Sequence, residues 1–289
     1  MDPQLAWRAR SRRALVLLAA AAAVFALGAL AAQARAAPDY VGLGDSYAAG
    51  PLIPNQVAPL GCLRSDHDYA HLARPGIGLP LFDASCSGAT TYDMTHPQAV
   101  ELGSNPPQLD ALSATTRLVT LTIGGNDIGF SEVAQECITI NPFSTPCRDR
   151  YDAGGRDQLA ERIAATAPKV AAVIDAIHAR APRAKVLVLD YPAIFPESGS
   201  GCWPQMPIGW GDVPYLRRTE QGLNAMLKSQ AAAHGATLVD WYGASIGHDA
   251  CRSLSSRWVE PLVPGQLAAP IHPNLAGMRA AAGLVVANR

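Results

Sequence analysis

The sequence predicts a three-layer α/β/α domain built on a parallel sheet. Three observations predict it: short apolar runs of β-formers without polar alternation, amphipathic helical stretches between them, and glycine turns that carry polar side chains where the runs end. Strands that alternate with helices are joined by right-handed crossovers, and such sheets bind ligands beyond the strands' carboxyl ends.

In chain order, the first feature is Arg8-Ala9-Arg10-Ser11-Arg12-Arg13, followed by an apolar run over residues 14–32 and then Ala34-Arg35-Ala36. A basic head, a greasy middle and a small-residue cleavage pattern read as an export signal. Residues 1–36 are therefore assigned to a signal peptide and 37–289 to one folded domain, exported and extracellular. A retained anchor is the alternative, because the run approaches the roughly 20 residues that span a bilayer. The abundance of alanine and the immediate Ala-x-Ala site favour cleavage, and with no second long apolar run the mature chain has no stable membrane span. It is long enough to bury a core without a partner, so a monomer is expected. A formal net charge of -1 with dispersed basic residues excludes nucleic acid as a partner.

Apolar runs at Tyr40-Val41-Gly42-Leu43, residues 117–123, residues 185–189 and Thr237-Leu238-Val239 predict four buried strands. Residues 157–180 carry Leu159, Ile163, Val170, Val173, Ile174 and Ile177 at helical spacing and stop before Pro182. A second helix is predicted over 217–234 with Gly235 as its stop, and a last one over 275–286. Residues 131–155 and 193–213 read as long surface insertions held by cysteines. Long ordered loops near strand ends often shape binding sites.

Six cysteines lie downstream of the leader, and an exported chain with an even number usually pairs them. Fifteen pairings are open. Cys62 with Cys86, Cys137 with Cys147 and Cys202 with Cys251 is favoured, because each pair staples one irregular excursion containing Pro or Gly. No Cys-x-x-Cys or close Cys-His cluster is present, so neither a metal nor another cofactor is expected.

Chemistry concentrates in four segments. Gly42-Leu43-Gly44-Asp45-Ser46 puts a serine on a tight turn at a strand's carboxyl end; the plain alternative is a helix cap by Asp45 or Ser46. Ser46 is not set in the Gly-x-Ser-x-Gly elbow of the α/β-hydrolases, since Ala48 stands where the second glycine would be. Ile123-Gly124-Gly125-Asn126-Asp127 presents an amide at the same sheet edge, where it can donate to a developing oxyanion or simply occupy a left-handed turn. In Cys86-Ser87-Gly88, Gly88 allows its N–H to approach a substrate oxygen closely. Pro270-Ile271-His272-Pro273 brackets a histidine between prolines before the final helix. The remaining histidines (His67, His71, His96, His178, His234 and His248) have ordinary readings as surface or loop residues, and at helix ends as partners of the dipole.

Taken together, the four segments resemble the SGNH hydrolases, also called GDSL lipases and esterases, whose name lists a Ser, a Gly, an Asn and a His in separate blocks. Ser46, Gly88, Asn126 and His272 match them in order, and the resemblance runs along the whole of residues 37–289. It implies a flavodoxin-like SGNH fold for this catalytic domain, Ser46 as nucleophile, His272 as general base, and an oxyanion hole of Ser46, Gly88 and Asn126. Asp45 is expected to hold the turn. The secreted actinobacterial branch looks most similar, with three disulfides that agree with the pairing above.

The resemblance implies a small-molecule or lipid ester as substrate. Many members carry an aspartate three residues before the histidine; here that position is Ala269. The resemblance then points to the carbonyl of Ala269 or a neighbour as acceptor for Nδ1, with Glu260, the nearest upstream acid, as the alternative. The same blocks also serve carbohydrate acetylesterases, for which Trp203 and Trp210 offer a stacking platform. A non-catalytic cell-wall interaction protein on this scaffold, and acyl transfer to an alcohol, are further readings.

Overall fold

Side chains of the predicted apolar runs make the centre of the molecule. The structure is a computed structural model and describes residues 38–101 and 103–289; the leader assigned to residues 1–36 lies outside the described residues. Five strands, β1 (Tyr40–Gly44), β2 (Leu81–Asp83), β3 (Leu118–Thr122), β4 (Lys185–Leu189) and β5 (Thr237–Val239), form one parallel sheet in the order β2-β1-β3-β4-β5. Tyr40 stands opposite both Leu81 and Leu118, and Leu118 opposite Lys185. Every residue of β1 and β3 is buried, as a sheet covered on both faces requires. The chain leaves β1 in one direction to make β2 and returns past it to make β3. The crevice between β1 and β3 is therefore the point at which the strand order reverses, where such sheets bind ligands.

The helices are α1 (Ser46–Ala49), α2 (Tyr69–Ile77), α3 (Phe130–Glu136), α4 (Pro146–Tyr151), α5 (Gln158–Arg180), α6 (Val213–Ala233), α7 (Trp241–Ser245) and α8 (Leu275–Asn288). α2 packs along α8 so closely that a Cβ on Gly76 would lie 2.9 Å from Val286, and α5 packs along α6. Asp157 caps α5 by accepting from the N–H groups of Leu159 and Ala160, and Gly235 follows α6 with a φ of 72°.

Four differences from expectation have physical causes. β2 escaped the sequence reading because it is a three-residue edge strand with Phe82 exposed. α2 escaped it because Pro75 and Gly76 lie inside it; the helix survives through the Asp68 cap on His71 N–H (2.8 Å) and its contact with α8. α6 starts at Val213, not at 217, because Pro214 fits a first helical turn. The insertion 131–155, for which the sequence predicts no helix, carries most of α3 and all of α4. The disulfides join Cys62 to Cys86, Cys137 to Cys147 and Cys202 to Cys251, the pairing favoured above.

Candidate active site

Ser46 opens α1 directly beyond the end of β1. Asp45 N–H donates to the Thr122 carbonyl of β3 (2.9 Å), and the Asp45 carboxylate accepts from Tyr47 N–H (2.9 Å), so the turn is pinned to the neighbouring strand and capped. Gly44 is obligatory here: its φ is 142° and a Cβ would sit 2.3 Å from the Thr122 carbonyl oxygen. Ser46 itself is only 8% exposed.

His272 reaches the serine from the loop before α8. Its Nε2 lies 2.7 Å from Ser46 Oγ, and its Nδ1 lies 2.8 Å from the carbonyl of Pro270. The acceptor is thus Pro270, and Ala269 is corrected: its carbonyl accepts instead from His272 backbone N–H at 3.2 Å. Glu260 is corrected as well. Its fully buried carboxylate is taken up by Arg257, Asn274 Nδ2 and the N–H groups of Gly265 and Gln266. Burial pushes that carboxyl up, but Arg257 and Asn274 outweigh it and leave Glu260 below the usual range. Its role is in the backbone, where Ile271 N–H donates to Glu260 O (3.0 Å) and Glu260 N–H to His272 O (2.9 Å). Burial of the His272 imidazole lowers its pKa below the ordinary 6.5, against the Pro270 bond, which raises it.

Asn126 follows β3 and, with Ser46, lines one cleft of about 360 Å³. One amide hydrogen of Asn126 goes to the Ala89 carbonyl (2.8 Å), and an amide has a second to give. Gly88 is exposed, with a φ of 81°, on the loop tied to β1 by Cys86 N–H and the Gly44 carbonyl (3.0 Å). Among the described residues, no acceptor engages the backbone N–H of Ser46 or of Gly88. Five of the remaining histidines are occupied elsewhere: His67 by Asp66, His71 by Asp68, His96 by the Tyr92 carbonyl, His234 by Asp175 and His248 by the Ser256 carbonyl.

Sequence reasoning missed four supporting residues: Tyr47 directly follows the serine without a local signal of its role, and the other three lie in no recognisable motif. Gln108 clamps Gly44 from both sides, accepting from its N–H (2.7 Å) and donating to its carbonyl (2.9 Å). Tyr191 donates to Asp45 (2.5 Å) and accepts from Gly125 N–H (2.7 Å), joining the serine and asparagine turns. Burial pushes the Asp45 carboxyl up to about 7, against the bonds from Tyr191 and Tyr47 that favour its ionised form. Tyr47 stacks near the His272 ring (centroids 4.9 Å apart) and donates to the Ile271 carbonyl (2.6 Å). Glu220 on α6 is buried in the cleft wall; its Oε1 accepts from Ile194 N–H (2.9 Å) and its Oε2 has no partner among the described residues. Burial holds that carboxyl well above the ordinary glutamate range.

The cleft is otherwise apolar, with Phe130, Ile194 and Leu223 in its walls. A second, tight apolar pocket lies on the far side of Phe130, among Met206, Ile208 and Ile271. On the other side of Asn126 an open groove runs along Thr91, Tyr92, Asp127 and Lys169. The nearest approach to a metal-binding set among the described residues is Asp68, His71 and Asp83. His71 Nδ1 already bonds Asp68 (2.7 Å) and Arg64 Nε lies 3.6 Å from Asp83, so both carboxylates have internal partners.

A hydroxyl and an imidazole in contact at the switch point of a parallel sheet, with amide donors alongside, define a hydrolase of the serine type. The chain belongs to the GDSL-like lipase/acylhydrolase family, whose family model matches residues 43–280, and it is a carboxylic ester hydrolase. It is 41% identical to Lipase 2 of Streptomyces coelicolor over 282 residues, which cover 93% of this chain and 94% of that protein. Among solved structures it is similar to phospholipase A1 from Streptomyces albidoflavus NA297, with a TM-score of 0.71, 28% identity, and coverage of 88% of this chain and 99% of that one. An extracellular lipase from Streptomyces rimosus matches with a TM-score of 0.65 and 29% identity over 86% of this chain and 98% of the other. No helix of the described residues is long and apolar enough to cross a membrane.

Proposed function

We propose that the protein is a secreted esterase or lipase in which Ser46 is the nucleophile and His272 the general base, acting on lipid acyl esters. The observation that carries this reading is the 2.7 Å contact between Ser46 Oγ and His272 Nε2. A proton on Nδ1, donated to the Pro270 carbonyl, leaves the Nε2 lone pair facing the serine. His272 takes the serine proton as Oγ attacks the ester carbonyl, and returns it to the departing alcohol. Water then attacks the acyl-enzyme with the same histidine as base. The N–H groups of Ser46 and Gly88 and the free amide hydrogen of Asn126 receive the oxyanion; losing one such donor lowers turnover by roughly a hundred- to a thousandfold. A neutral carbonyl aims the imidazole without adding negative charge beside it, so the dyad needs no third carboxylate.

The apolar walls at Phe130, Ile194 and Leu223 suit an acyl chain, and the open groove beyond Asn126, where Thr91, Asp127 and Lys169 interrupt an apolar lining, suits the alcohol portion. Secretion is supported by the leader pattern, by the three disulfides and by the extracellular lipase among similar structures. The test is Ser46→Ala. It abolishes hydrolysis of p-nitrophenyl octanoate and labelling by a fluorophosphonate while the melting temperature stays the same; labelling retained in the variant would assign the nucleophile to another residue.

A further inference from the structure

We infer that the two cysteine-stapled insertions form a lipid-docking surface, through which the protein adsorbs to aggregated substrate at a lipid–water boundary. The inference rests on the ester-hydrolase reading only for what is being approached; the surface itself is independent of Ser46.

The insertions act as one body. Ile138 and Ile208 form an antiparallel bridge, Thr139 N–H donates to the Pro207 carbonyl (2.8 Å), and Trp210 N–H donates to the Pro142 carbonyl (2.7 Å). Asp212 adds a clamp by accepting from the N–H groups of Cys147 and Arg148 at the start of α4 (2.9 and 3.0 Å). Each insertion is also stapled, by Cys137–Cys147 and Cys202–Cys251. Groups fixed before contact lose little entropy when they dock.

This body exposes large apolar side chains that folding leaves in water. Ile140 is 95% and Phe143 77% exposed, with the Phe143 ring edge-on to Trp210 at 4.8 Å and Trp203 nearby on the same loops. Trp203 Nε1 already donates to the Thr139 carbonyl (3.3 Å), so burying that ring in lipid strands no donor. Exposed apolar clusters of this kind mark interaction sites.

Charge identifies the partner. Charged residues make up 16% of the chain, yet none occurs in residues 137–147 or 198–211. Charge resumes only at the border of the patch, with Arg148, Asp149 and Arg150 exposed on α4, so ion pairing has no partner among the apolar side chains themselves, whereas an uncharged apolar medium meets no desolvation cost there. Shape points the same way. A side chain as exposed as Ile140 stands out from the surface, so a protein partner would have to supply a matching hollow, while lipid flows around a projection. Aromatic rings favour the boundary between headgroups and acyl chains. The same insertions form the inner wall of the pocket past Phe130, through Val133, Ala134, Met206 and Ile208. One unit thus presents apolar side chains on its outside and packs against the wall residue Phe130 on its inside.

The experiment uses the full-length protein carrying Ser46→Ala, to prevent hydrolysis, and sonicated phosphatidylcholine vesicles in a sedimentation assay. The protein is expected to pellet with the vesicles in high salt. Adding Ile140→Ser and Phe143→Ser is expected to weaken partitioning on the order of tenfold or more. The same pair placed in the active chain leaves the melting temperature and the turnover of water-soluble p-nitrophenyl acetate unchanged. Equal partitioning with and without the two serines overturns the inference, as does failure of the parent to pellet. A parent dimer that the serines dissociate also overturns it, since the face then buries a second copy. Adsorption by a chain that hydrolyses no ester upholds the docking surface and defeats the catalytic reading alone.

Discussion

Ile271 holds a φ of 63° immediately before His272, a left-handed conformation that β-branched residues rarely adopt. The strain is held by three bonds, from Tyr47 Oη to its carbonyl and in the backbone pairing with Glu260 on either side of it. Backbone kept in an unfavourable well by its surroundings is what aims a side chain. The imidazole so aimed loses hydration, which lowers its pKa below 6.5. Only neutral imidazole accepts the serine proton, so activity falls as pH drops through that lowered value and is flat across neutrality. A profile of kcat/KM against pH is expected to show its acid midpoint below 6.5; a midpoint above 7 contradicts the assignment. No local pattern in the sequence foretells the shift, because desolvation depends on Tyr47 and other residues far away in the chain.

At the scale of elements, the serine turn is positioned by a residue 64 positions distant in sequence, Gln108, which bonds both the N–H and the carbonyl of Gly44. The short segment bearing Gln108 has no motif, and its value lies in satisfying two backbone groups at a strand end where the ladder stops. Gln108→Ala is expected to cost about 2–3 kcal/mol of stability by stripping buried groups of partners. It should also lower kcat more than it raises KM, because the turn carrying Ser46 loosens while the apolar cleft remains. Urea unfolding and steady-state kinetics check both; unchanged stability would show that water replaces the amide. Tyr191 works in the same way between the Asp45 and Gly125 turns.

Across the whole molecule, the disulfides close loops of 24, 10 and 49 residues, Cys62–Cys86, Cys137–Cys147 and Cys202–Cys251 in turn. Loop-closure entropy makes the longest bridge the most stabilising, at about 4 kcal/mol, against roughly 3 kcal/mol for the shortest. Replacing each pair by serines and measuring urea midpoints should rank the losses in that order, and the reverse ranking would place the stabilisation in local packing. The sequence by itself determined four of the five strands, the two long helices, the last helix and the four segments that carry the chemistry, and it favoured the three cysteine pairs that the structure joins. These are legible because buried strands, amphipathic helices and glycine turns leave local patterns, and because Ser46 and Asn126 follow strands whose reversed order makes the crevice. Only the tertiary structure decided that Pro270 and not Ala269 receives the Nδ1 proton, that Glu260 is consumed by Arg257, and that Gln108, Tyr47, Tyr191 and Glu220 surround the site. A hydrogen bond across the fold depends on where two backbones come to rest, and no periodicity along the chain records that distance.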